Sequence, residues 1–215
     1  MSKLYIYVVD RDFGFAPNPF HGYCTLATCK PLIRRKAEVG DWVIGMGGSR
    51  LKATGRCIFA MCITEKLTFN DYWSDSAFLD KKPIRNGSHK MMVGDNIYHF
   101  DTTTNEWHQA DSHHSHADGS INRDNLTRDT RSDNVLISRY FFYFGRQAPA
   151  VPSNLLDAIG YKNRRTHWEF KDTDAASLIK WLQSSFPSFL NQVVSDPFDF
   201  DKSQKRYSAG DNKIT

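Results

Sequence analysis

The sequence predicts an α+β fold. Short runs rich in β-branched and aromatic residues recur up to residue 144, each stopped by Gly, Pro or charged residues, which is the pattern of strands. After Pro149 and Pro152 the apolar residues change to helical spacing, so strands come first and helices follow. With 215 residues, 40% of them hydrophobic, the chain can build the core of one globular domain with a small appendage.

Leu4-Tyr5-Ile6-Tyr7-Val8-Val9 reads as a buried strand in mid-sheet, ended by Asp10-Arg11-Asp12. Residues 13–31 carry Gly14, Pro17, Pro19, Gly22 and Pro31, which excludes a long regular element and leaves a structured loop of the length that usually has a function. A short basic helix is expected over 33–37, followed by a turn at Val39-Gly40-Asp41, a strand over 42–46 and a longer strand over 56–64. Thr68 has the character of an N-cap and opens a helix through Phe69 to Trp73. Residues 74–95 are irregular and hold the densest basic stretch, with Lys81, Lys82, Arg85 and Lys90. Further strands are expected over 97–100, 106–108 and 135–144, separated by a polar segment at 109–134. Leu155, Leu156 and Ile159 mark one helix, and Ala175, Leu178, Ile179 and Leu182, spaced i, i+3, i+4, i+7, mark a second. From Asp196 the chain has no periodicity and reads as a frayed tail. The expected organisation is therefore a domain over 1–150, a packed helical extension over 151–195 and a flexible tail over 196–215.

Twenty-eight Lys and Arg against 24 Asp and Glu give +4, a mildly basic balance that permits anionic partners without demanding them. No apolar run reaches the length of a membrane helix, and the charged triplet at 10–12 interrupts the N-terminal run, so neither a membrane partner nor a signal peptide is expected. Four cysteines are too few for a disulfide scaffold and read as the reduced thiols of a cytoplasmic protein. Gly45-Met46-Gly47-Gly48-Ser49 lacks the Lys-Ser/Thr of a P-loop, and neither a dinucleotide fingerprint nor a nucleophile elbow is present, so the sequence names no cofactor.

Four groups of residues carry chemistry. Asp111, His113, His114, His116 and Asp118 offer metal ligands or an acid–base pair, but in an extended chain neighbouring side chains point to opposite sides, so a metal is not favoured over hydrogen-bonded support. Asp129 and Asp133 bracket Thr130-Arg131-Ser132 before a strand; Asp133 is placed to act as a base or to read a nucleobase edge, with turn chemistry as the plainer reading. Cys24, Cys29, Cys57 and Cys62 have the pairwise spacing of a zinc site, yet Cys57 and Cys62 fall on opposite faces of a strand. Cys24 and Cys29 lie near Lys30 with His21 as the nearest base, and packing in the loop is favoured over a catalytic thiolate. Finally Trp42, Tyr72, Trp73, Tyr98 and Trp107 sit near Lys30, Arg34, Arg35, Lys36, Lys81, Lys82, Arg85 and Lys90, the mixture that base stacking and phosphate contact require.

Three strings, RDFGFAPNPFHGYCTLATCKPLIRRKAEVGDWVIG at 11–45, GDNIYHFD at 94–101, and DSHHSHADGS with RDTRSDNVLISRYFFYFG between 111 and 145, give the chain a family likeness. Over roughly residues 3–150 it resembles the bacterial and phage nucleotide modification associated domain family, the second family of that name. The resemblance implies a role beside DNA-base modification systems and carries over no catalytic residue. A second likeness, in the order of strand, Gly40-Asp41 turn, strand, long strand and short helix at Tyr72-Trp73, is to PUA-like barrels of the ASCH, EVE and YTH group, which hold a base in an aromatic pocket. It implies a mixed or antiparallel barrel with flanking helices.

The leading expectation is recognition of a modified nucleobase or a nucleotide, on DNA rather than RNA, in a DNA-modification or phage-defence system. Trp42, Tyr72 and Trp73 would stack with Tyr98 nearby, Asn96 and Asp133 would read the base, and Lys30, Arg34 and Arg35 would hold phosphate. The alternative is a nucleotide- or base-modifying transferase or hydrolase in which His113 and His114 work with Asp129, Asp133 or Asp95. A third expectation is a scaffold that engages a partner enzyme through the C-terminal helices.

Overall fold

The computed structural model describes residues 2–164 and 167–215, which form two compact units, each assembled from separate stretches of chain. The first unit takes Met1–Asp12, Ala37–Glu65 and Ser138–Phe198. Its centre is a six-stranded sheet in the order Trp168–Lys171, Lys3–Val9, Trp42–Gly47, Cys57–Cys62, Tyr140–Tyr143, Gln192–Val193. Lys3–Val9 runs parallel to Trp42–Gly47 and antiparallel to Trp168–Lys171, so the apolar N-terminal run is interior to the sheet, and Leu4, Tyr5 and Ile6 are fully buried. The helix Asp172–Ser185 covers this sheet with the predicted stripe, and Ala175, Leu178, Ile179 and Leu182 are all buried.

The second unit takes Phe13–Lys36, Lys66–Ile137 and Asp199–Thr215. It contains a three-stranded sheet made by Cys24–Leu26 with residues 134–137 and 66–68, the hairpin Tyr98–Asp101 with Glu106–Gln109, and a small pair Tyr207–Ser208 with Lys213–Ile214. Thr68 caps the helix Phe69–Ser74 by accepting from the Asp71 amide, as its position predicts.

Three expectations are corrected. Among the described residues no sheet closes into a barrel: the six-stranded sheet ends on Trp168–Lys171 at one edge and on the two-residue strand Gln192–Val193 at the other. The run expected as one strand over 135–144 is two, Asn134–Ser138 and Tyr140–Tyr143, in different sheets. The residues read as a frayed tail are folded, with Phe200 and Ser203 buried and the Tyr207 amide donating to the His113 carbonyl. Their order comes from hydrogen bonds to distant residues, which leave no periodicity in the sequence.

Gly45 shows how tightly the central sheet is packed. It pairs with Phe59 across the strands, and a methyl group in its place would lie 2.1 Å from Phe59 Cε1 and 2.8 Å from Val9 Cγ2. Gly45→Ala is expected to destabilise the protein by about 1–3 kcal/mol through overpacking, read as a lowered midpoint in urea unfolding.

Candidate functional site

The chemistry-bearing residues of the second unit converge around Cys29. This residue follows the strand Cys24–Leu26 and precedes the helix Pro31–Lys36, and both Cys29 (φ 56°) and Lys30 (φ 40°) occupy the left-handed region that side-chain-bearing residues avoid. The turn is held by Arg34, a fully buried side chain whose Nε donates to the Cys29 carbonyl at 2.9 Å. Its Nη1 donates to the carbonyls of Ser132 (2.9 Å) and Asn134 (2.7 Å), and its Nη2 donates to that of Asp129.

Asp129 ends the helix Arg123–Asp129, whose amino end is capped by the Asn122 side chain. The Asp129 carboxylate is buried and accepts from three groups: the Cys29 amide (2.8 Å), Tyr98 OH (3.0 Å) and, on the same oxygen as Tyr98, Nδ1 of His114 (2.8 Å), while Gln109 Nε2 reaches Tyr98 OH at 3.1 Å. The opposite nitrogen of that ring, Nε2, lies 3.8 Å from Cys29 Sγ. Thiol, imidazole and carboxylate are thus aligned, with the carboxylate fixing the ring from behind.

Electrostatics separates the two adjacent histidines. Burial pulls both down, but Asp129 and Cys29 beside His114 outweigh it and raise that ring to about 9, so it carries a proton at neutral pH. Burial also pushes the Asp129 carboxyl upward, and the opposing charges of His114 and Arg34 with the His114 and Cys29 hydrogen bonds bring it below its usual value. His113 is lowered to about 3 by burial and by the neighbouring His114, and it stays neutral. Its Nδ1 donates to the Lys205 carbonyl at 2.6 Å, and its ring packs 4.4 Å from that of Phe13 and 5.1 Å from that of Phe15. His113 supports the loop and does not reach the sulfur's hydrogen-bonding geometry.

The other predicted site residues fall elsewhere. Trp42 belongs to the first unit, 7% exposed and edge-on to Tyr140. Tyr72 is buried and donates to Asp95 at 2.8 Å, and Asn96 donates to the carbonyls of Tyr72 (2.8 Å) and Phe78 (3.3 Å). Trp73 stacks on His99 at 4.4 Å with the Lys82 ammonium 3.8 Å above its ring. Lys30 is half-buried, Arg35 is exposed, and Asp133 is exposed while its Oδ1 accepts from the Phe69 amide at 3.2 Å. Of the basic residues expected to hold phosphate, Arg34 and Lys81 are buried and consumed by backbone carbonyls, and Arg85 donates to Met92 and Gln204. The His loop does not gather into a metal site: Arg206 pairs with Asp111, Asp118 caps Ser120 at the surface, and no group of at least three His, Cys, Asp or Glu suited to a metal occurs among the described residues.

Cys29 is the residue of this candidate site that sequence reasoning passes over, because the imidazole and carboxylate beside it come from residues 85 and 100 positions away. All four cysteines are free, but Cys24 and Cys57 are fully buried and their thiols are pushed far up by burial. His21, the base that sequence proximity suggested, is exposed.

Cys29, His114 and Asp129 all lie inside the region that matches a known family. The chain matches nucleotide modification associated domain 2 over residues 1–204. It belongs to that family. The match includes the helix Asp172–Ser185 and extends the likeness beyond the motifs of residues 11–145. No curated protein and no solved structure matches this member of the nucleotide modification associated domain 2 family.

Two outcomes follow from the buried charges. Lys81 Nζ donates to the Asn18 carbonyl (3.0 Å), Asn18 Oδ1 (2.8 Å) and the Tyr23 carbonyl (2.8 Å), and it offsets the buried Asp95. Lys81→Met removes the cation that faces the buried Asp95 and is expected to cost about 3–5 kcal/mol in denaturant unfolding. For His114 the folded-state value lies above the ordinary 6.5, so its contribution to stability is complete below about pH 6.5 and is lost as the pH rises through about 9. The stability difference between wild type and His114→Gln should therefore shrink between pH 6 and pH 10, measured by urea unfolding across that range.

Proposed function

We propose that this chain is a thiol-dependent enzyme that modifies a nucleotide or nucleobase, with Cys29 as nucleophile, His114 as acid and base, and Asp129 as the group that orients the ring. The observation that carries this reading is the alignment of Cys29 Sγ, 3.8 Å from His114 Nε2, with His114 Nδ1 2.8 Å from Asp129 Oδ2. An imidazolium beside the sulfur is the setting in which a cysteine attacks as thiolate. In the first half-reaction a C–S bond forms to an electrophilic substrate carbon, the bond to the leaving group breaks, and His114 gives that group its proton. In the second, water or another acceptor attacks the same carbon, His114 takes the acceptor's proton, and the thiolate departs. The strained backbone at Cys29 and Lys30 also supports the reading, because such conformations are concentrated where a reactive group must be presented. The family's association with nucleotide modification supports a nucleotide or nucleobase as substrate, and a bacterial or phage DNA-modification system is the setting proposed for it.

A recognition role is the second reading, favoured by a hollow of about 290 Å³ lined by Thr68, Asn70, Phe100, Trp107 and Asp133, which combines aromatic faces with a carboxylate suited to a base edge.

Iodoacetamide labelling with mass-spectrometric localisation separates the two. On the enzyme reading Cys29 is alkylated first, well ahead of Cys24, Cys57 and Cys62, and His114→Ala slows its alkylation by about tenfold or more. Alkylation of Cys29 no faster than of Cys62, unaffected by His114→Ala, would overturn the enzyme reading and leave the recognition one.

A further inference from the structure

The helix Arg123–Asp129 has two working faces. Asn125, Leu126 and Asp129 are buried, and Asp129 serves the cysteine site. Asp124, Thr127, Arg128 and Arg131 recur at i, i+3, i+4 and i+7 and share the outer side, where with Ala209 and Gly210 they line an open hollow of about 390 Å³. The hollow adjoins Cys29 through two residues. Arg128 Nη1 donates to Tyr207 OH at 3.2 Å, and the Tyr207 ring lies 5.6 Å from the His114 ring. Among the charges that raise the Arg128 guanidinium against the effect of burial, that of Cys29 is the largest.

We propose that this hollow is the phosphate subsite of the Cys29 site and that Arg128 and Arg131 together receive a phosphate monoester; this rests on the enzyme reading above. The Arg128 side chain has one hydrogen-bond partner, Tyr207, and that of Arg131 is exposed with none among the described residues, so most of their donors are unclaimed. Two arginines lining one hollow supply the forked donors that the oxygens of a single phosphate group take, whereas a strand-binding surface spreads its cations along a groove. The basic residues that would have made such a track, Arg34, Lys81 and Arg85, are bound to backbone carbonyls instead. Asp124, which also lines the hollow beside Gly210, offers an acceptor to a sugar hydroxyl. The geometry therefore points to the terminal phosphate of a mononucleotide, and the same chemistry would be met by the phosphorylated 5′ end of a DNA strand.

The test uses the full chain and two readouts, calorimetric binding and protection of Cys29 from iodoacetamide. The probes are the four deoxynucleoside 5′-monophosphates, the corresponding nucleosides, inorganic phosphate and a short oligothymidylate with and without a 5′-phosphate. The expected result is that at least one monophosphate binds about tenfold or more tightly than its nucleoside and slows Cys29 alkylation. Arg131→Gln, a surface change whose folding is checked by circular dichroism, should remove that preference. Stronger competition by the phosphorylated oligonucleotide than by every mononucleotide assigns the phosphate to a strand end. Equal binding of monophosphates and nucleosides, or a preference that survives Arg131→Gln, overturns the subsite even when Cys29 is reactive. An unreactive Cys29 with Arg131-dependent phosphate binding overturns the enzyme reading and leaves the phosphate site standing.

Discussion

The geometry around Cys29 depends on one buried guanidinium. Arg34 donates to the backbone carbonyls of Cys29, Ser132, Asn134 and Asp129, and so ties a left-handed turn, the end of a helix and the start of a strand to a single planar group. A helix leaves its last carbonyls without intrahelical donors, and a cation there also opposes the negative end of the helix dipole. Burial lowers the Arg34 pKa, and Asp129 acts in the other direction. A lysine at this position would supply a point charge on a flexible stem and lose the fork that reaches several carbonyls at fixed angles. Without the clamp, the φ of 56° at Cys29 has no counterweight, and the sulfur loses its alignment with His114.

Two histidines adjacent in sequence do different work because their second neighbours differ. His114 faces a carboxylate and a thiol and holds a proton; His113 faces Phe13, Phe15 and a carbonyl and does not. The neutral ring can sit beside the charged one because it adds no charge to an already cationic neighbourhood. Their rings are 5.9 Å apart, and protonating both would set two like charges together in a buried place. The arrangement is the familiar one of paired titratable groups whose environments push their proton affinities apart, which is how one loop holds one charged ring and one neutral ring side by side.

What the sequence made legible was periodic, and what it hid was non-local. The strand Lys3–Val9, the cap at Thr68 and the buried stripe of Asp172–Ser185 could be read because neighbours in the chain carry the signal. The helix Arg123–Asp129 could not, since RDNLTRD has one apolar residue and is held by Asn125 donating to the His114 and Tyr207 carbonyls and by Arg34 on its last turn. His114 and Asp129 were recognisable as candidate chemistry from the density of polar groups, but their partner was not. Cys29 looked like a small hydrophobe in a Pro/Gly-rich loop because nothing within its own segment supplies a base. For the aromatic and basic residues, composition and contacts point in different directions. Tyr72, Asn96, Arg34 and Lys81 have the composition of a ligand surface, yet the fold spends them on its own buried polar groups.

The balance of charge at the sulfur explains why the site places its cations at two depths. Arg34 and His114 are buried and committed to the protein, so the field they create at Cys29 does not change when a ligand arrives. Arg128 is half-buried and open to the hollow, so an anion bound there would neutralise part of its field. With Asp129 holding the proton on His114 from the far side, the cation nearest the sulfur is set by the interior, and the outer arginine is left to respond to whatever enters.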